Sequence, residues 1–276
     1  MNKSSIIKLS LSELVTAVNR IAGDAAKEIL KVYESDFSVT HKDDKSPLTA
    51  ADMASHNTIC KQLATLTPDI PILSEESADI PFPERKSWQQ YWLIDPLDGT
   101  REFVKRNGEF TVNIALIENH QPVLGVVYVP VSGITYFASK DNGAFKQSGA
   151  DSPIQIKTKK TRTGQFTVAG SRSHASEKQH AFSNALENVE IISIGSSLKF
   201  CLVAEGKVDI YPRFGPTSEW DTAAAHCIVV EAGGMVTDEK LNTLTYNQKE
   251  SLINPDFLVI ADKSFDWKPY LLGDTG

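Results

Sequence analysis

The chain has little cysteine, no excess of basic residues and no long apolar run, and each shortage removes a class of function. Three cysteines, Cys60, Cys201 and Cys227, are scattered over 276 residues. That is too few and too dispersed for a disulfide framework or a cysteine zinc site. Cys60 and Cys227 fall within helical patterns, which marks them as buried free thiols. The formal net charge is −7 at pH 7. The basic face of a general nucleic-acid binder is missing, so nucleic acid is not an expected partner. An anionic small molecule remains compatible with that charge, because a bound cation reverses the local field. No segment is apolar for long enough to span a bilayer, and the N-terminus lacks the uninterrupted apolar stretch of a signal peptide. A reducing, cytoplasmic setting is expected. No amphipathic anchor stands out, and the sequence leaves peripheral contact with an inner membrane open.

What is present reads as a globular α/β chain in two halves. The length suits one large domain or two smaller ones sharing a core. Leu11, Leu14, Val15, Val18, Ala22, Ala25, Ala26 and Ile29 recur at helical spacing behind a Ser10–Glu13 capping box, predicting a long amphipathic helix. A polar loop follows, then a second helix from near Thr49. Residues 70–73 read as a short strand ending at Ser74-Glu75-Glu76, Pro81–Pro83 as a surface loop, and Tyr91–Ile94 as another strand. The period then changes to two. Phe110, Val112, Ile114 and Leu116 alternate with Thr111 and Asn113, as in a half-buried strand. Strands at 123–129, 134–138 and 144–147 continue an antiparallel meander, with Asn142-Gly143 as a hairpin signal. Gly149–Gly164 looks like the joint, dividing an N-terminal half (1–150) from a C-terminal half (151–276). Beyond it strand and helix alternate: 166–169, 174–187, 189–194, 196–205 and 208–211. A helix from Trp220-Asp221 and a late strand at 257–260 complete the pattern.

The stretch from Trp92 to Arg101 carries the most chemistry. Asp95 and Asp98 flank Pro96 and Leu97 after a hydrophobic strand, and Gly99 and Thr100 follow. Carboxylates at a strand's C-terminal end sit where α/β sheets place ligands. Clustered acids repel, and hard oxygen donors at such a turn favour Mg²⁺ over zinc. Glu75 and Asp221 also fall at element ends, and Asp52 lies one turn into the second helix. Taken singly, each has a structural explanation. Asp95-Asp98 fits an Asx turn, Thr49-Asp52 a capping box, and Asp221 a first-turn acid favoured by the helix dipole.

Taken together they form three signatures: Leu73-Ser74-Glu75-Glu76, Asp95-Pro96-Leu97-Asp98-Gly99-Thr100 and Trp220-Asp221-Thr222-Ala223-Ala224. In this order they resemble the inositol-monophosphatase superfamily of Mg²⁺-dependent, lithium-sensitive phosphatases. Gly170–His174, Gly195–Phe200 and Tyr211–Thr217 are similar to the bacterial 3'(2'),5'-bisphosphate nucleotidase branch. The resemblance implies a layered αβαβα sandwich with the site between the halves, and a monomer or homodimer.

The resemblance also implies roles. Glu75 and Asp95, with the carbonyl of Leu97, hold one Mg²⁺. Asp95 bridges to a second ion held by Asp98 and Asp221, and a third, weaker ion sits near Glu75. A shared carboxylate keeps two cations about 3.5–4 Å apart. Thr100 takes the proton of the attacking water and Asp52 accepts from Thr100 in turn, while Glu76 lies behind the ligands. Gly99, lacking Cβ, lets its backbone approach the phosphate, and its amide and that of Thr100 point at it. Glu75, Leu97, Asp98, Gly99, Thr100 and Asp221 therefore also meet substrate. His174 stacks beside an adenine, Gly195 and Ser196 line a nucleoside site, and Lys199 and Arg213 meet a second phosphate. Lys199 as a solvated helix residue and Arg213 as a packing residue are the competing readings, and His226 reads as core or surface. The implied reaction is hydrolysis of adenosine 3',5'-bisphosphate to AMP and phosphate, with 3'-phosphoadenylyl sulfate as a further substrate. The rival readings are an inositol-1-phosphate phosphatase, a sugar-bisphosphate phosphatase and a non-catalytic, metal-dependent regulatory protein of the same fold.

Overall fold

The computed structural model describes residues 9–35, 47–170, 177–186 and 188–271. Helix α1 (Leu11–Tyr33) opens on the expected box: Ser10 N donates to Glu13 Oε2 at 2.8 Å, and Glu13 N donates back to Ser10 Oγ at 3.3 Å. Its apolar stripe, Leu14, Val15, Val18, Ala22, Ala25 and Ile29, is buried. Helix α2 (Pro47–Leu66) starts two residues earlier than expected. Proline's fixed φ suits a first helical position. Thr49 therefore lies inside the first turn, and Asp52 belongs to the helix body rather than to a Thr49 box.

Seven strands form the first sheet in chain order: β1 (Ile72–Ser74), β2 (Gln90–Asp98), β3 (Thr111–Glu118), β4 (Gln121–Val129), β5 (Ile134–Ser139), β6 (Ala144–Ser148) and β7 (Ile154–Ile156). β1 pairs with β2 in parallel, and every later pair is antiparallel. Two short helices interrupt the order, α3 (Phe82–Arg85) and α4 (Thr100–Val104). The expected loop at Pro81–Pro83 is thus the start of α3, with Pro83 in its first turn. β7 lies inside the segment expected to be the joint, so the first sheet runs on to residue 156.

The half-buried reading of β3 is corrected. Val112, Ile114 and Leu116 pack under α1 and α2, while Ala115 and Ile117 belong to a second core on the opposite face. The covering element is α7 (Glu219–Glu231), a hundred residues downstream and invisible to a local period.

The second sheet has the order β11-β12-β10-β8-β9. Its strands are β8 (Phe166–Gly170), β9 (Val189–Ser193), β10 (Ile210–Arg213), β11 (Met235–Asp238) and β12 (Phe257–Ile260). β11 has no counterpart among the sequence expectations. Helices α6 (Leu198–Ala204) and α7 fill the space between the sheets. On the far face, Phe182 of α5 (Glu177–Ala185) joins Phe166, Val168, Ile210, Leu258 and Trp267. The layers are α1/α2, first sheet, α6/α7, second sheet, α5: the αβαβα arrangement expected. No described helix is long and apolar enough to cross a membrane.

Candidate active site

The site forms where β2 ends. The strand continues through the motif to Asp98, with a bulge between Asp95 and Asp98 in its pairing with β3. Bulges re-aim side chains. Here the bulge points Asp95 inward, 1% exposed, with Oδ1 accepting from Leu97 N at 3.0 Å. The carboxylates do not emerge past the strand as the sequence suggested; they are part of it. Ser55 of α2 donates to the carbonyl of Pro96 at 2.8 Å, tying the turn to the helix that carries Asp52.

Asp98 is held from β3 and from the start of α6. Its Oδ2 accepts from the backbone N of Ser197 at 2.7 Å and from Asn113 Nδ2 at 3.4 Å. Ser197 Oγ lies 2.9 Å from both Asp98 Oδ2 and the carbonyl of Asp221, and either can take its single proton. That hydroxyl in turn accepts from Asn113 Nδ2 at 2.9 Å. Asp221, in the first turn of α7, accepts from Ser218 N at 2.8 Å through Oδ2. Ser197 and Asn113 thus join β2, β3, α6 and α7 at one point. Sequence reading assigned neither of them a role, although Ser197 stood within a quoted motif and Asn113 was one of the polar residues alternating with the apolar face of a strand.

The acids raise one another. Burial, then Asp98, Glu75 and Asp221, holds Asp95 well above the ordinary carboxylate range. Burial and then Asp98 push Asp221 up to about 7. Burial and then Glu76 push Asp52 up to about 8. Glu75 begins a 3₁₀ turn (Glu75–Ser77) and is exposed, so solvent tempers its shift; partial desolvation, Glu76 and Asp98 set the upward direction. This donor set is all oxygen and strongly anionic, which is the chemistry of a hard divalent cation. Among the described residues no three of these side chains converge as closely as a metal cage requires. Like charges at this density repel, and their bonds to Leu97, Ser197 and Ser218 set the spacing.

A cleft of about 680 Å³ opens beside these acids. Of the expected substrate residues, Asp98, Gly99, Thr100, Gly195, Ser196, Lys199, Arg213 and Asp221 line it. Asp52, Glu75, Asp95 and Leu97 lie outside its lining. His174 falls outside the described residues. Gly99 has φ +93°, a conformation L side chains rarely adopt, and a Cβ there would also press on the Phe110 backbone at 3.2 Å. At Gly195 a Cβ would meet Glu102 Cγ at 2.6 Å and the Glu109 carbonyl at 2.8 Å, while its N donates to Glu109 Oε2 at 2.9 Å. Ser196 adopts φ +46°, and its hydroxyl is buried without a hydrogen-bond partner among the described residues.

Lys199 is not solvated. It is 8% exposed, with Nζ donating to the carbonyls of Ser196 at 2.8 Å and Ile194 at 3.2 Å. Burial lowers its ammonium, and Asp98 works against that. Arg213 donates through Nη2 to Pro216 O at 3.1 Å, and its buried Nε has no hydrogen-bond partner among the described residues. Asp52 Oδ1 is likewise buried without a hydrogen-bond partner among the described residues. His226 is a core residue: its Nδ1 lies 2.9 Å from Tyr246 OH, and burial pushes it down to about 3.

Three comparisons place this geometry. A profile of the inositol monophosphatase family matches residues 10–265. The 3'(2'),5'-bisphosphate nucleotidase CysQ of Salmonella typhimurium is 51% identical over 250 residues, 90% of this chain and 98% of that protein. The crystal structure of CysQ from Bacteroides thetaiotaomicron superposes with a TM-score of 0.81 at 43% identity, covering 90% of this chain and 97% of its own. An inositol monophosphatase from Zymomonas mobilis shares the fold at a TM-score of 0.77 and 20% identity, over 96% and 98% of the two chains. With the profile spanning nearly the whole sequence and a relative half identical along its length, the chain belongs to the inositol monophosphatase family.

Proposed function

We propose that the chain is a Mg²⁺-dependent phosphomonoesterase that hydrolyses adenosine 3',5'-bisphosphate to AMP and phosphate, with 3'-phosphoadenylyl sulfate as a second substrate. One observation carries the reading: a single cleft is lined both by the acids Asp98 and Asp221 and by the cations Lys199 and Arg213. A substrate with one phosphate needs only the acid side, through its metal. One with two phosphates also uses the cationic side. The nucleotidase relatives, up to half identical to this chain, support the same substrate.

Glu75, Asp95, Asp98, Asp221 and the Leu97 carbonyl fit Mg²⁺ by donor type, and burial and crowding raise the carboxyls of Glu75, Asp95 and Asp221. Bound there, the metal supplies neutralisation of the phosphate dianion and a more acidic water. The chain's own residues supply the rest. Gly99 lets the backbone reach the phosphate, and Ser197 fixes Asp98 through its backbone amide, with its hydroxyl within bonding distance as well. Thr100, exposed in the cleft, accepts the water's proton, and Asp52 accepts from Thr100 through its free, buried Oδ1. A carboxylate poised near neutrality suits that task.

The test compares kcat/KM for adenosine 3',5'-bisphosphate, 3'-phosphoadenylyl sulfate and inositol 1-phosphate with Mg²⁺ present. The adenosine substrates are expected to lead. Preference for inositol 1-phosphate sinks the nucleotidase reading, and no phosphate release from any of them leaves a non-catalytic protein.

A further inference from the structure

Arg85 takes no part in the reaction as described, yet it is one of the most buried charges in the molecule, 2% exposed. It sits in α3, ten residues after Glu75. Its guanidinium donates to Asn247 Oδ1 and to the carbonyls of Lys249, Glu250 and Ile80. Asn247 returns a bond from Nδ2 to the Arg85 carbonyl at 2.6 Å. A cation buried on carbonyl oxygens is costly to desolvate, and such an arrangement persists where it fixes one geometry among several.

The geometry it fixes leads to Asp221. The backbone N of Asn247, itself 1% exposed, donates to Glu219 Oε2 at 2.8 Å, and Glu219 N donates to Leu252 O at 2.8 Å. Asn254 Nδ2 donates to Ser218 O at 2.8 Å, and Ser218 N holds Asp221 Oδ2 at 2.8 Å. The 247–254 loop is therefore a cradle for the first turn of α7. Arg85 grips the loop from the segment that carries Glu75.

We propose that Arg85, Asn247 and Glu219 form a positioning clasp that sets the carboxylate of Asp221 in register with Glu75, Asp95 and Asp98, and so sets metal affinity. This rests on the metal reading of the site given above. Glu219 acts through its hydrogen bond and not as a ligand. Partners behind metal ligands typically change affinity by about 10–100-fold when removed.

The test measures Mn²⁺ binding to the full chain from the electron paramagnetic resonance signal of free Mn²⁺, alongside Tm. Asp221→Asn should weaken binding; if it does not, the metal reading itself falls, and the clasp with it. Arg85→Lys keeps the charge, but three donors on one nitrogen cannot meet four acceptors spread around a guanidinium, and Glu219→Ala removes the acceptor; each should raise the Mn²⁺ Kd about tenfold. Glu219→Gln keeps an oxygen for Asn247 N and should bind Mn²⁺ within about twofold of the parent by the same reasoning. Phe182→Leu, in the outer layer, should lower Tm and leave the Kd alone. If Arg85→Lys fails to fold, the Glu219 pair decides. Parental Kd in Glu219→Ala with a lowered Tm makes the clasp merely structural, and equal losses in Glu219→Gln and Glu219→Ala make Glu219's charge the active feature. Either result overturns the proposal.

Discussion

Gly125→Ala should damage the site from the far side of the sheet. Gly125 lies on β4, beneath α7. A Cβ added there would fall 2.1 Å from the carbonyl oxygen of Ala224 and 2.9 Å from its carbon. Carbon–oxygen contacts settle at about 3.3 Å or more, so the helix has to retreat by about 1.2 Å. The obstructing atoms are backbone, so no rotamer change relieves them. Overpacking of this kind costs about 1–3 kcal/mol, or roughly 2–4 °C of Tm for each kcal/mol at a comparable chain length. Asp221 sits one turn before Ala224 on the same helix and moves with it, away from Asp98 on β2. A misplacement of about 1 Å can lower turnover about 100-fold. The assay pairs thermal unfolding with kcat/KM on adenosine 3',5'-bisphosphate at saturating Mg²⁺. A soluble Gly125→Ala protein with parental Tm would falsify the packing argument. One with lowered Tm but parental kcat/KM would show that α7 does not transmit the shift to Asp221.

Arg213→Ala should raise KM at least tenfold for adenosine 3',5'-bisphosphate and much less for 3'-AMP, which lacks the second phosphate; equal effects on both would remove Arg213 from phosphate recognition. Ser197→Ala strands Asn113 Nδ2 without its 2.9 Å acceptor, and should cost about 1–3 kcal/mol in urea unfolding. Asp52→Asn should cut kcat far more than it weakens Mn²⁺ binding, and the reverse pattern would make Asp52 a ligand. With cations chelated, stability should fall as pH rises from 6.5 to 8.5. Asp52 is pushed up to about 8, and Asp221 and Glu219 to about 7. The folded chain therefore holds protons there that the unfolded chain has released, and the stability-versus-pH slope is negative. His226, pushed down to about 3, is neutral in the folded chain across that window, while the unfolded imidazole sheds its remaining proton just above pH 6.5, which opposes the fall only at the acid end. Thermal midpoints in chelator should show the fall; a rise would reverse the sign of the carboxylate shifts.

Local chemistry made much of this legible in the sequence. The Ser10–Glu13 box and the meander follow from residues close in the chain and reappear in the structure, and the acids Glu75, Asp98 and Asp221 lie close enough to Asp95 to raise its carboxyl. What failed was decided by distant partners. β3 read as half-buried because α7, which covers it, lies a hundred residues on. The solvated reading of Lys199 failed for a different reason: its acceptors, Ile194 O and Ser196 O, are close in the chain but are backbone atoms with no sequence signature. β11 escaped because four residues of pattern cannot be told from loop, and only pairing with β12 makes them a strand.

The same distinction explains how the site can be strongly anionic and still folded. Asp98 faces Asp95, Glu75 and Asp221, a repulsion the sequence shows plainly. Its answer is not visible there: Ser197 N at 2.7 Å, from the helix start of the other half, and Asn113 from the adjacent strand. A backbone donor cannot be deleted by a side-chain change, so part of this support survives Ser197→Ala. Metal affinity in that variant should therefore drop by about tenfold, the low end for a ligand's supporting bond, and not disappear. Mn²⁺ titration of Ser197→Ala beside Asp98→Asn decides it. Equal losses in the two would mean that the hydroxyl, and not the amide, holds Asp98.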